Sequence, residues 1–180
     1  MSRVLYSIKG CVEFVKELAL VVLVALLFTS FILSHNKIPT PSMVSTINEQ
    51  DHILTTMLPY YYRDPEVGEI VVFKQGEESW VKRVIGLPGD VIDIREGQVY
   101  VNDKAIDESA YLAAGMSSEP YPGSEHVSFP YTVPEDHYFL MGDNRTQSQD
   151  CRYIGAIARD KIYGKAWIKI YPFNQIGLLK

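Results

Sequence analysis

Ser42 and Lys82 are the residues whose types and settings point to chemistry. Ser42 stands in Ile38-Pro-Thr-Pro-Ser-Met43, a turn-like segment a few residues beyond an apolar N-terminal run. Lys82 stands in Trp80-Val-Lys-Arg-Val-Ile-Gly-Leu-Pro-Gly-Asp90, inside a strand-like apolar stretch where an ammonium must reach water or lose its charge. Desolvation lowers a lysine from its free value of about 10.4 towards neutrality. A neutral amine beside a hydroxyl can take its proton, activate it against an acyl carbon, and pass the proton to the leaving amine. Such a pair needs no histidine. Both residues also have plainer readings. Serines are common in loops, and Lys82 can point to solvent from an alternating strand with only the stem of Arg83 turned inward.

The elements that must position this pair begin with Leu18 to Leu33, sixteen residues without a charge. As a helix this run rises about 24 Å, slightly short of a bilayer core of about 30 Å. Phe14, Val15 and Ser34 can extend it, with Lys16 snorkelling and the bilayer thinning locally. It is apolar on every side, which disfavours a soluble amphipathic helix. A cleaved signal peptide is the competing reading, but Ser30 to Ser34 is a poor small-x-small site. The expectation is a retained transmembrane helix over 18–34. Arg3, Lys9 and Lys16 favour a cytoplasmic segment 1–17 and an extracytoplasmic domain over 36–180, although Glu13 and Glu17 dilute that bias.

Beyond the anchor the periodicity is mostly two, giving a mostly β fold. Asp51–Met57, Gly68–Phe73, Ser79–Ile85, Tyr138–Met141 and Lys165–Tyr171 read as strands. Asp90–Asn102 reads as a hairpin turning at Glu96-Gly97, with Val91, Val99 and Val101 among the candidate core positions. No long helical pattern follows residue 35. Residues 107–134, with five Ser, four Pro and two Gly, read as an excursion on the surface of the sheet.

Composition excludes several functions. A net charge of −5 with no Lys/Arg-rich patch argues against a nucleic-acid partner. Cys11 and Cys151 flank the apolar run, so a membrane would separate them and no disulfide framework is available. The histidines (His35, His52, His126, His137) and cysteines show no metal-ligand spacing, so neither a metal nor another cofactor is expected. Tyr60-Tyr-Tyr-Arg63, Phe173 and Leu178-Leu179 read either as lipid-interface groups or as ordinary sheet surface.

Four segments in order resemble type I signal peptidases, the membrane-bound Ser/Lys proteases that remove signal peptides from exported proteins. Pro41-Ser-Met-Val-Ser-Thr46 is similar to the nucleophile box and Gly68-Glu-Ile-Val-Val-Phe73 to the strand after it. Lys82-Arg-Val-Ile-Gly-Leu-Pro-Gly-Asp90 resembles the lysine box, and Gly142-Asp-Asn-Arg-Thr-Gln-Ser-Gln-Asp-Cys-Arg152 the C-terminal box. The resemblance, to the single-anchor Gram-positive-like form, implies Ser42 as nucleophile and Lys82 as general base. It implies Ser148 as the hydroxyl orienting the lysine amine, and the Ser42 N–H and Thr40 hydroxyl as oxyanion-hole donors. Asp150 and Arg152 match a structural ion pair, and Gly142, Asp143 and Asn144 shape the turn beside it. The implied partners are signal-peptide-bearing preproteins and the lipid bilayer; oligomeric state is left open. The substrate would lie as a strand beside Ile38-Pro39-Thr40 and Trp80-Val81, over shallow pockets lined by Ile38, Met43, Ile47 and Val81, with Ile47 equally readable as core.

This chain departs from the family pattern twice. Ser45 replaces a usual proline, loosening one φ angle and adding a second hydroxyl near Ser42. Cys151 stands where serine is common, and reads as a small buried side chain rather than a nucleophile, since no histidine pairs with it. A catalytically silent relative acting as an assembly chaperone or scaffold is the alternative, and would be expected to lack Ser42 or Lys82. A self-cleaving repressor with a similar Ser/Lys core is disfavoured by the anchor and by the lack of a helix-turn-helix segment.

Overall fold

The computed structural model describes residues 2–121 and 127–179. A helix, α1 (Ser2–Phe31), leads directly into a strand, β1 (Leu33–Lys37). There follow β2 (His52–Thr56), β3 (Ile70–Gln75), β4 (Glu78–Gly86), β5 (Val91–Arg95), β6 (Gln98–Val101) and β7 (Lys104–Ala105). Next come β8 (Tyr131–Thr132), β9 (His137–Met141) and a single helical turn, α2 (Cys151–Ile154). The chain closes with β10 (Ile157–Ala158), β11 (Ile162–Tyr171) and β12 (Gly177–Leu178). The larger sheet has the order β1-β2-β11-β3-β4-β9-β10, with β12 against β11; the smaller has the order β7-β6-β5-β8.

β3 explains how the site strand is buried. Val71 and Phe73 enter one core with Val84, Ile85, Phe139 and Leu140, while Ile70 and Val72 enter a second with Ile38, Met43 and Ile47. A strand buried on both faces reads as a continuous apolar run. β4 shares this setting, and Val81 through Gly86 are all buried. Lys82 is 4% exposed and Arg83 2%, so the solvent-facing reading of Lys82 does not hold. Among the described residues β9 pairs with β4 only from Arg83 onward, which leaves the other edge of Glu78–Val81 without a strand partner.

The hairpin turns where expected. Glu96 and Gly97 have φ values of 50° and 79°, the left-handed pair that a two-residue hairpin turn demands. Its core residues differ from the expectation. Val99 is buried, but Val91 is exposed, Val101 is half-buried, and Ile92 and Ile94 point inward. β1 had no strand signature, since Leu-Ser-His-Asn-Lys lacks alternation; its register against β2, from Leu33↔Thr56 to Lys37↔His52, makes it one. Of the excursion 107–134, residues 122–126, His126 included, lie outside the described residues. Its end is not loop: Tyr131 and Thr132 form β8 against β5.

The N-terminal element departs from the span expected over 18–34. α1 stops at Phe31 because Leu33 and Ser34 pair with Thr56 and Thr55 in the sheet. Leu18–Phe31 is then the uncharged part of the helix, about 21 Å long. Glu13, Lys16 and Glu17 occupy the turns before it, with Lys16 on Glu13 at 3.0 Å. Among the described residues no helix is long and apolar enough to cross a membrane. The apolar side chains from Val12 to Phe28 are nonetheless unburied, with Leu20 61% and Val21 64% exposed.

Candidate active site

Ser42 is presented by a 3-10 turn over Pro41–Met43. Thr40 before it is extended, and Pro41 supplies the preset φ that suits the first position of a helical turn. Met43 is 1% exposed and packs with Ile38, Ile47 and Ile53, which pins the turn to the second core. The N–H groups of Thr46 and Ile47 close the loop on the Met43 carbonyl at 2.9 and 2.8 Å. From the other side Asn144 donates its N–H to the Ser42 carbonyl (3.0 Å) and its Nδ2 to the Pro41 carbonyl (3.1 Å). The Ser42 N–H lies in the first turn, where donors have no intrahelical partner. The Thr40 hydroxyl stands 3.4 Å from Ser42 Oγ.

Lys82 arrives from β4. Its Nζ donates to Ser42 Oγ at 2.8 Å and to the Val81 carbonyl at 3.1 Å, and lies 5.6 Å from the centre of the Trp80 ring. Burial pushes its pKa down from 10.5 to about 8, while the Asp150 carboxylate works against that shift. Above that pH the amine keeps two N–H donors and gains a lone pair. It can then still donate to Val81 while accepting the Ser42 proton.

The segment after β9 forms a wall behind this pair. Asp150 caps α2 by accepting the Arg152 N–H, and its carboxylate also takes Nε and Nη2 of Arg152 at 2.9 Å each. The pair therefore closes through a helix cap. Asp150 Oδ2 further accepts the Gly142 N–H (3.0 Å) and the Ser148 hydroxyl (2.7 Å). This last bond alters the expectation for Ser148. Among the described residues the Lys82 amine bonds only Ser42 Oγ and the Val81 carbonyl, and the Ser148 hydroxyl is turned to Asp150. Gly142 has no room for a side chain: an added Cβ would come within 2.5 Å of the Ser42 carbonyl and would run into Ser148. Asp143 is fully buried and takes Nε and Nη2 of Arg83 at 2.8 and 2.7 Å.

A cleft of about 740 Å³ opens over Ser42 and Lys82, with Ile38, Thr40, Trp80 and Val81 among its walls. Met43 also reaches it. Ile47 does not, and lies wholly in the core. Gln147 and Gln149 line the cleft as well, although nothing in their types marked them beforehand. Three further residues were not singled out: Arg83, Arg145 and Glu108. Arg145 is buried against Glu108, with Nη1–Oε2 at 3.1 Å and Nη2–Oε1 at 2.5 Å. The signal available was a charged residue inside or beside a motif, but partners 60 and 37 positions away cannot be read from local pattern. The two departures have structural roles. Ser45 Oγ donates to the Tyr111 carbonyl at 2.6 Å, and the Cys151 thiol is buried against the Leu140 N–H at 3.1 Å.

Known proteins are similar to this chain. A family model described as signal peptidase, peptidase S26, matches residues 11–171. The probable signal peptidase I-2 of Synechocystis sp. is 37% identical over 175 residues, covering 93% of this chain and 76% of that protein. Signal peptidase I S of Bacillus subtilis is 34% identical over 172 residues, covering 93% of each. A crystal structure of a signal peptidase I from Enterococcus faecalis V583 is 27% identical, with a TM-score of 0.48, over 57% of this chain and 97% of that one.

Proposed function

The chain belongs to the signal peptidase family, peptidase S26, and from that premise we propose that it is a serine endopeptidase that removes N-terminal signal peptides from exported preproteins. Ser42 is the nucleophile and Lys82 the general base. The observation that carries this reading is the 2.8 Å contact between Lys82 Nζ and Ser42 Oγ, both buried at the floor of the cleft. In the reaction, neutral Lys82 takes the hydroxyl proton as Oγ attacks the scissile carbonyl. The oxyanion forms near the Ser42 N–H and the Thr40 hydroxyl, whose bonds to it strengthen as charge develops. Lys82 then protonates the departing amine, leaving an acyl-enzyme that water hydrolyses with the same base.

The preprotein lies extended between Ile38-Pro39-Thr40 and the open edge of Glu78–Val81. Unpaired strand edges are suited to this mode of recognition. Trp80, Val81, Ile38 and Met43 bound the pockets for small side chains before the scissile bond. Asp143, Asn144, Asp150 and Arg152 hold the wall, and Ser148 acts on the base through Asp150.

We further place the protein at a cell membrane. α1 is a single pass, segment 1–17 is cytoplasmic and the body from residue 36 extracytoplasmic. The unburied apolar side chains of α1 support this location; Phe14, Val15 and local thinning of the bilayer make up its length. Recovery of the protein in the soluble fraction after alkaline carbonate washing would refute the anchor without touching the Ser42–Lys82 assignment.

The test of the chemistry is cleavage of a signal-peptide-bearing precursor with N-terminal sequencing of the product. Ser42→Ala and Lys82→Ala each reduce kcat by at least about 10³, and a fully active variant of either kind refutes the proposal. The wild-type rate rises with pH through about 8, as the amine loses its proton.

A further inference from the structure

Glu108, Tyr111 and Ser45 take no part in the steps above, yet they meet directly behind them. Residues 108–112 form a turn in which the Leu112 N–H donates to the Glu108 carbonyl at 2.9 Å. Three contacts leave this turn for three different parts of the site. The Tyr111 carbonyl accepts from Ser45 Oγ at 2.6 Å, in the loop that carries the nucleophile. The Tyr111 ring lies over Arg83, with Cζ 4.1 Å from the ring centre, and Arg83 is the residue after the base. The Glu108 carboxylate, itself receiving the Tyr111 hydroxyl at 2.8 Å, holds Arg145; Arg145 Nε donates to the Gly142 carbonyl at 2.9 Å.

We propose that the Glu108–Tyr111 turn is a positioning element for the Ser42–Lys82 pair, with Tyr111 as its central residue. Asp143 grips the edge of the Arg83 guanidinium, which leaves the group's face to be fixed. The Tyr111 ring covers that face, so edge and plane are both set. The same residue's carbonyl stops the nucleophile loop through Ser45. One residue of the excursion thus sets the base strand and the nucleophile loop relative to each other. Proton transfer between a hydroxyl and an amine is steep in their separation, and a misplacement near 1 Å can cost about 10² in rate. Ser45 matters here because a proline in its place would have no hydroxyl to donate.

This inference rests on Ser42 and Lys82 being the reacting pair, so Ser42→Ala is assayed alongside. On the same precursor, Tyr111→Leu lowers kcat about tenfold or more with KM within about twofold, because the ring is lost but the cleft is not. Tyr111→Phe, which keeps the ring on Arg83, restores kcat to within about threefold of wild type. Ser45→Ala lowers kcat about threefold and leaves Tm unmoved, since its bond is exposed. Tyr62→Ala, 84% exposed, matches wild type. Wild-type kcat in Tyr111→Leu, or a loss confined to KM, overturns the inference. Should Tyr111→Leu fail to fold, an unchanged kcat in Ser45→Ala overturns it instead. An active Ser42→Ala protein would show that the reading of the reacting pair has failed, whatever the Tyr111 variants do.

Discussion

Lys82 and Arg83 follow one another on β4 and are buried to nearly the same degree, but they belong to opposite electrostatic regions. Arg83 meets a buried carboxylate at 2.7 and 2.8 Å and the Gly68 carbonyl at 2.8 Å. Among the described residues the Lys82 amine bonds only a hydroxyl and a carbonyl, and no carboxylate. A guanidinium stays charged in any such setting. An ammonium without a contacting carboxylate sheds its proton when desolvated. Equal burial therefore yields a strut in one residue and a base in the next. The strut is repeated: Arg145 on Glu108 and Arg152 on Asp150 are also buried pairs. All three lie on the wall, and none contains the reacting pair.

The strongest way to break this contrast is to remove a carboxylate from the wall. Asp150→Ala leaves Arg152 buried without its anion and frees the Ser148 hydroxyl and the Gly142 N–H at once. Losing one partner of such a pair costs about 3–5 kcal/mol. Urea unfolding measures it, and a loss below about 1 kcal/mol would show that the wall is no strut. Asp150 also holds the Lys82 pKa up. Any folded Asp150→Ala protein therefore has its pH–rate limb moved to lower pH.

The second test acts on the other member of the contrast. The Lys82 amine titrates at about 8 in the folded protein against 10.5 when free. Between those values the unfolded chain binds the extra proton, so stability rises with pH from about 8 to about 10.5. Below pH 8 the whole penalty is present, on the order of 3 kcal/mol. Lys82→Met removes it. The inactive variant is more stable than wild type at pH 7 by up to that amount, and the gap closes above about pH 10.5. Thermal melts at several pH values decide the matter; a gap that does not change with pH would place no desolvated amine at this position.

Much of the scaffold behind these tests was legible in the sequence, for identifiable reasons. Period-two strands and the Glu96-Gly97 turn are local signals, and each is met by β2 through β6, β9 and β11. β1 was not legible because Ser34, His35, Asn36 and Lys37 carry no strand pattern of their own and extend only against β2. The end of α1 was not legible for the same reason, since Ile32 and Leu33 are apolar enough to continue a helix until Leu33 and Ser34 pair with β2. At the site, Ser42 and Lys82 stood out by type and setting together with the ordered boxes. Arg83 and Arg145 did not, because their carboxylate partners lie 60 and 37 positions away, whereas Arg152 pairs with Asp150 two positions before it, as expected. Ser148 shows the finer limit: the resemblance brought it to notice, but its hydroxyl is turned to Asp150, a direction that the sequence pattern does not carry.

A smaller effect is expected at Thr40, which belongs to the reactive region but is itself exposed. Thr40→Val keeps the β-branched shape and loses only the hydroxyl 3.4 Å from Ser42 Oγ. Removing one oxyanion-hole donor lowers kcat by about 10². KM and Tm stay near wild type, the reverse of the Asp150 result. A pure KM effect would take Thr40 out of the oxyanion hole.

The smallest effect sharpens the boundary between the two regions, because Cys151 sits on it. It lies between the paired Asp150 and Arg152. Its Sγ accepts the Leu140 N–H at 3.1 Å and faces the Tyr138 carbonyl at 3.8 Å. Burial pushes the thiol pKa far above its ordinary range. No thiolate is then available near neutral pH, and the side chain behaves as packing. A hydroxyl can accept the same N–H and donate to the same carbonyl, so Cys151→Ser costs about 1 kcal/mol or less and changes kcat by less than about twofold. Iodoacetamide labels one thiol per native chain, the exposed Cys11, and leaves cleavage intact. Inactivation by labelling at Cys151, or a tenfold loss in Cys151→Ser, would move this residue from the wall into the reacting pair's side of the contrast.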